Sequence, residues 1–251
     1  MKMTRVLTPL AIAISALVSA QQASAAWWDE GDYTVRVGAS WVDPSDDKNN
    51  LRLSDRYHAV DMNLDTETTW NISGVWKPVE HWGVELMYVG ATEQDMKIRR
   101  IRSGNQIISG GNFKLGQFDA SYSNAFVNWF PLSEDCLGQP YVGIGVNYTD
   151  FSDESYSRDV NDVLIDSGET LNGASLGLGH SWGVVGQVGV DFRFGREDSF
   201  LVNAAVMYID ADTDFNTYYR TAEFPRVTQK LTVNDIDYSP WVFNLGVGYS
   251  F

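Results

Sequence analysis

The 251 residues carry 33 acidic against 18 basic side chains, a formal net charge of −15, which argues against nucleic acid as a partner because phosphate recognition needs clustered cations. The single cysteine, Cys136, cannot form an internal disulfide. Beyond residue 25 no apolar run reaches about 18 residues, which excludes a helical membrane protein. A mean hydropathy of −0.22 still admits a barrel, whose strands hide their lipophilicity in alternation.

Residues 1–25 read as a cleaved signal peptide. Lys2 and Arg5 give it a positive start, an apolar stretch follows, and Ala23, Ser24 and Ala25 supply the small residues of a cleavage site. The rest, 26–251, reads as one domain built of strands with a period of two. Strand one presents Tyr33, Val35, Val37, Ala39 and Trp41 on one face; strand two presents Trp70, Ile72, Gly74 and Trp76; strand three presents Trp82, Val84, Leu86, Tyr88 and Gly90. Strand four, near 117–130, has two possible faces: Ala125, Val127 and Trp129 outward, or Tyr122, Phe126 and Phe130 outward. The first is preferred because it turns Asn124 and Asn128 inward.

Strand five offers Val142, Ile144, Val146 and Tyr148, and strand six runs from Trp182 through Val184, Gly186, Val188 and Val190 to Phe192 and Phe194. Strand seven offers Phe200, Val202, Ala204, Val206 and Tyr208. Strand eight offers Trp241, Phe243, Leu245, Val247, Tyr249 and Phe251. No charge falls on these faces, as expected where an Arg or Lys at mid-bilayer costs about 2–4 kcal/mol. Aromatic residues near both ends of most rows match the two interfacial girdles of a membrane barrel. The last strand ends on Tyr249 and Phe251, read here as the insertion signal presented to the barrel-assembly machinery. Closure of the sheet removes the exposed edge that such a strand would otherwise leave. Short connections (77–81, 131–139, 195–198) alternate with long acidic ones (43–66, 92–116, 149–181, 209–240), as periplasmic turns alternate with outer loops. The fold expected is an all-β, eight-stranded antiparallel transmembrane β-barrel in the bacterial outer membrane, in contact with lipid and lipopolysaccharide.

Several stretches carry a resemblance: Gly83-Val-Glu-Leu86, Pro140-Tyr-Val-Gly-Ile-Gly-Val-Asn-Tyr-Thr149, Ser181-Trp-Gly-Val-Val-Gly-Gln-Val-Gly-Val-Asp191, Leu201-Val-Asn203, Tyr208-Ile-Asp-Ala-Asp212 and Pro240-Trp-Val-Phe243 with the aromatic ending. In these the chain resembles the outer-membrane protein W family, which includes AlkL-like proteins. The resemblance implies an eight-stranded barrel that admits small hydrophobic molecules. Two features depart from the family pattern. Gly110, Gly111 and Gly116 stand where the family approaches strand four with prolines, and Lys97, Arg99, Arg100 and Arg102 form a basic cluster that either meets lipopolysaccharide phosphates or is simply a solvated loop.

Parity also assigns an inward row, independently of any family. Near the periplasmic end this row holds Arg36, Glu85, Asp191 and Arg193, with Gln187 and Asn203 above them, a set of charges and amides able to pair into a polar floor. Nearer the outside it holds Met87, Val89, Val185, Met207, Ile209 and Val242, an apolar vestibule. An eight-stranded barrel has room inside for side chains or one small ligand. The function expected is channel-like uptake of small hydrophobic solutes through this vestibule, with sideways exit into the bilayer. The alternative is a structural or surface-interaction barrel that displays acidic loops, its inward Val and Met being simple packing.

No enzyme, cofactor or metal is expected. His180 and Ser181 are adjacent on a strand and point to opposite faces, while His58 and His81 lie in connections. Asp210, Asp212 and Asp214 resemble the opening of a calcium loop, but Phe215 stands where that loop needs glycine and Thr221 where it needs its bidentate glutamate.

Overall fold

A computed structural model describes residues 32–44, 58–103, 106–133, 136–194 and 199–250. The segment read as a signal peptide and the terminal Phe251 lie outside the described residues. The strands are β1 (Asp32–Asp43), β2 (His58–Asn63), β3 (Glu67–Val79), β4 (Trp82–Ser103), β5 (Gln106–Trp129), β6 (Gly138–Tyr156), β7 (Ala174–Leu178), β8 (His180–Phe194), β9 (Phe200–Ile209), β10 (Asp212–Tyr219), β11 (Gln229–Asp237) and β12 (Trp241–Ser250). Among the described residues a helix, α1 (Arg158–Asp166), follows β6, its first turn capped by the Ser157 hydroxyl accepting from the Val160 N–H at 3.3 Å.

Eight of these strands, β1, β3, β4, β5, β6, β8, β9 and β12, pair antiparallel in a ring that β12 closes on β1. The register fixes the shape of the ring. Followed around the wall, Tyr33 pairs Trp76, then Val84, Val127, Ile144, Gly186, Tyr208 and Trp241, and the path returns to β1 at Asp43, ten residues beyond its start. A shift of ten residues at about 3.3 Å, spread over eight strands about 4.8 Å apart, gives a tilt of about 40° and a backbone radius of about 8 Å. Each residue then climbs about 2.5 Å along the axis, so Trp41 stands about 20 Å above Tyr33. That separation of the aromatic girdles approximates the apolar band of about 25 Å that outer-membrane barrels present.

The outward rows face away from the core as parity predicts. Leu86, Val146 and Val188 are each more than half exposed, while their neighbours Glu85, Asn147 and Gln187 are buried. In β5 the preferred register holds, because Val127 and Trp129 are exposed while Tyr122, Phe126 and Phe130 are buried along with Asn124 and Asn128. Gly90 on the outward row is covered rather than exposed. A Cβ there would lie 2.6 Å from the indole Nε1 of Trp70, so glycine lets that ring lie flat on the wall.

Ordered strands run into all four stretches expected as long loops, and β2 within the first of them pairs with β4. β4 and β5 stay paired up to Ser103 and Gln106, and β7, β10 and β11 form a separate three-stranded sheet that continues β8, β9 and β12. The period of two that betrays a membrane strand comes from lipid on its outer face. Beyond the girdle that face meets water, and the contrast fades. A bulge hides the period further in β4, where Gly90 and Ala91 together oppose the single Ser121. Past this point the inward row switches from odd to even numbers, so Thr92, Gln94 and Met96 are buried.

Candidate functional site

At the end where β1 begins and β12 ends, the interior is a network of charges and amides. Arg36 of β1 donates from Nη1 to Glu85 Oε1 at 2.9 Å and from Nη2 to Asp191. The second Glu85 oxygen accepts from Asn128 Nδ2 at 2.7 Å and from Gln187 Nε2 at 2.8 Å, and Gln187 also donates to Asn128 Oδ1 at 2.8 Å. Asn203 Nδ2 donates to Asp191 Oδ1 at 2.8 Å and to the Tyr141 hydroxyl at 3.0 Å. The Arg36 guanidinium lies 5.2 Å from the centre of the Tyr141 ring. All seven side chains are buried, so each charge is met by an opposite charge or by amide donors, as a low-dielectric interior requires.

Five of the six floor residues read from parity come together in this network. Arg193 does not. It is half-buried nearer the rim, and none of the network's hydrogen bonds reaches it. Asn128 and Tyr141 complete the network and were not assigned to it from the sequence, although both sit on inward rows. Lys77 also turns in near the rim, its ammonium 4.6 Å from the centre of the Phe130 ring. Two inward glycines make space for these groups. A Cβ on Gly143 would overlap Asn128 Oδ1, and one on Gly189 would enter the Tyr141 ring.

Above the floor the six apolar residues expected to line a vestibule belong to one buried cluster, joined by Val42. Val89, Val185, Met207, Ile209 and Val242 have no accessible surface and Met87 has little, so side chains fill this level. The level is less purely apolar than the parity reading had it. Ser40, Asn71 and Asn244 share it on one wall, and Asn124, Asn147 and Thr149 on the other. Asn124 had been read as inward from the register of β5, whereas Ser40, Asn71, Asn147, Thr149 and Asn244 lie on inward rows of β1, β3, β6 and β12 and had not been assigned to this level.

An aromatic cap closes the outer side. The Tyr122 and Tyr238 rings stack at 6.4 Å with their hydroxyls 2.6 Å apart, and Phe118 and Phe151 meet Tyr238 edge-on at 5.8 and 5.4 Å. Tyr238 occupies the short joint between β11 and β12, held by its N–H to the Ala211 carbonyl at 2.9 Å. Sequence parity passed over this cap because Tyr238 lies outside any strand, so nothing marked a partner for the inward Phe118 and Tyr122.

On the outer wall, at the height of the upper girdle, a groove of about 310 Å³ is lined by Val146, Trp182, Gly183, Val184, Asp210 and Asp212. It overlies the place where the β8–β9 ladder ends. The last paired residues are Val185 and Ile209, followed by one bond from the Asp210 N–H to the Val184 carbonyl at 2.9 Å. Of the basic cluster on the β4 extension, Lys97 is ion-paired with Asp65, whose hydrogen bond holds the ammonium above its ordinary range. The side chains of Arg99, Arg100 and Arg102 lie outside the described residues. Tyr249, expected from the sequence as part of an insertion signal, faces outward in the lower girdle, in edge contact with Phe200 at 5.2 Å.

A closed ring of eight tilted strands, an uncharged outer band between aromatic girdles and a packed polar interior define an outer-membrane β-barrel. The family model for the OmpW family matches residues 29–251, and the chain belongs to that family. It is 28% identical over 245 residues to outer membrane protein W of Escherichia coli strain K12, covering 98% of this chain and 99% of that one. To the protein of the same name from Vibrio cholerae serotype O1 it is 29% identical over 222 residues, 88% of this chain and 89% of the other. Among solved structures, OprG from Pseudomonas aeruginosa superposes with a TM-score of 0.67 at 26% identity, over 88% of this chain and 96% of that one. AlkL in lipid bilayers shares the fold, with a TM-score of 0.51 at 20% identity over 91% and 94% of the two chains.

Proposed function

We propose that this outer-membrane barrel carries small hydrophobic molecules from the cell surface into the outer leaflet. The observation that supports this most is the single buried apolar cluster that joins Met87 and Met207 to the Tyr122–Tyr238 cap, flanked by amides and standing on a floor of paired charges. A solute displaces the cap and replaces side chain contacts with its own, gaining about 25 cal/mol for each Å² of apolar surface it buries. Flexible Met87 and Met207 yield space at little strain. Onward passage to the periplasm would break the Arg36 network, so the solute leaves sideways. The seam above Val185 and Ile209, with the groove beside Trp182 and Val184 outside it, is the exit this reading favours.

A packed interior is also what a surface-display barrel without transport would have, and one experiment separates the two. Proteoliposome uptake of a hydrophobic dye is measured for the wild type, for Met87→Asp and Met207→Asp, and for a Val184→Cys/Asp210→Cys pair in a Cys136→Ser background. The expected result is strongly reduced uptake in both Asp variants and in the oxidised pair, with recovery of the pair on reduction. Uptake unchanged by all three would overturn the vestibule and its exit.

A further inference from the structure

Two buried hydrogen-bond relays run through the vestibule, and both end in an amide donor with no partner. On one wall the Thr149 hydroxyl donates to Asn147 Oδ1 at 2.7 Å, and Asn147 Nδ2 donates to Asn124 Oδ1 at 2.8 Å. On the other, Asn71 Nδ2 donates to the Ser40 hydroxyl at 2.7 Å, and that hydroxyl donates to Asn244 Oδ1 at 2.6 Å. Asn71 Nδ2 also lies 3.4 Å from Asn244 Oδ1. Each relay runs in a single direction and leaves one NH2 group over. Asn124 Nδ2 and Asn244 Nδ2 are buried and have no hydrogen-bond partner among the described residues, although their side chains are only 4% and 6% exposed.

These two donors are not scattered. In the ring β12 is followed by β1, β3, β4 and β5, so Asn244 and Asn124 stand on opposite walls. The register and tilt place them within about 3 Å of one height. Met87 on β4 and Met207 on β9 oppose each other at that same level. Because the neighbouring strand holds Oδ1 of each amide, Nδ2 is the end left to face the lumen. A buried donor without a partner costs about 1–3 kcal/mol, and such a group calls for an explanation.

We infer that the vestibule selects solutes that carry an acceptor oxygen on an apolar body, such as a medium-chain ketone, alcohol or ester, and that Asn124 and Asn244 determine this specificity. The inference rests on the uptake reading above and narrows its substrate class. A carbonyl oxygen between the two walls accepts from one or both amides, while the chain lies against Met87, Met207 and Val185. An alkane of the same length fills the same space but leaves both donors unmet. A neutral acceptor suits this level better than an anion, because the polar residues described there, Ser40, Asn71, Asn124, Asn147, Thr149 and Asn244, include no cation to compensate a buried charge.

The test compares 2-nonanone with n-decane as uptake probes in liposomes whose outer leaflet contains lipopolysaccharide, for the wild type, Asn124→Leu and Asn244→Leu. In parallel, the side-chain NH2 resonances of Asn124 and Asn244 are followed by NMR while 2-nonanone is titrated into the wild type. The ketone is expected to be facilitated over the alkane. Each Leu variant should reduce ketone uptake about two- to tenfold, the worth of one hydrogen bond, with alkane uptake equal or higher. The NH2 resonances should shift with the ketone and not with the alkane, a readout independent of how well the variants fold. Equal facilitation of both probes, with unmoved resonances, overturns the inference and leaves hydrophobic uptake standing. Facilitation of neither probe overturns the uptake reading itself and this inference with it.

Discussion

Arg36 organises the periplasmic half of the interior because its guanidinium pairs with both Glu85 and Asp191. Removing it strands two carboxylates in a site that the surrounding amides cannot neutralise. Arg36→Leu is therefore expected to lower stability by about 3–5 kcal/mol, the range for breaking a buried pair from one side. The triple variant Arg36→Met, Glu85→Gln, Asp191→Asn should recover most of that loss, because no charge remains to be buried. Urea unfolding in liposomes gives both numbers, and equal losses in the two variants would show that packing rather than charge holds the floor.

A strand in this protein is defined by which of its rows meets lipid, and β4 changes rows at Gly90 and Ala91. Deletion of Ala91 takes out the extra residue and leaves a regular strand in which Gly90 opposes Ser121 and Thr92, Gln94 and Met96 stay inward opposite Ala120, Phe118 and Gly116. Insertion of one residue after Ala91 instead turns those three side chains to the outside, because alternate residues face opposite sides. Thiol labelling of a Met96→Cys substitution in a Cys136→Ser background distinguishes the two. The thiol should stay protected in the deletion and become reactive in the insertion, while the heat-dependent gel shift of a folded barrel persists in both. Protection in both would mean that the residue count at the bulge is not what sets the inward row. The same element shows where sequence reading loses its grip. Through the bilayer each strand carries a full contrast between lipid and interior. Above it β4, β5, β10 and β11 have water outside, so ordered strands looked like acidic loops.

Taken whole, the barrel is held in place by an uncharged outer surface bounded by two rings of aromatic residues. Val188 lies midway between the girdles and is 62% exposed, whereas Trp182 stands in the upper ring. Val188→Arg is expected to cost about 2–4 kcal/mol and Trp182→Arg about 0–1 kcal/mol, since the penalty falls from mid-bilayer to interface. Unfolding in phospholipid liposomes measures both. Equal penalties would mean that the lipid band is not centred where the girdles put it. The ten-residue stagger of the ring sets how narrow the interior is, and a backbone radius of about 8 Å explains why a few Met, Val and Tyr side chains fill it.

By itself the sequence determined the eight transmembrane strands, the side of each that faces lipid, and the inward position of Arg36, Glu85, Asp191, Gln187 and Asn203. These follow from strictly local physics, because alternate residues point to opposite faces and lipid excludes charge from one of them. Only the tertiary structure decided which inward residues meet. Arg36 and Asp191 lie 155 positions apart, and their contact depends on the stagger accumulated around the ring. The same stagger closes Tyr122 against Tyr238 and sets Asn124 opposite Asn244, so cap and donors emerge from how strands are offset, a quantity no single strand encodes.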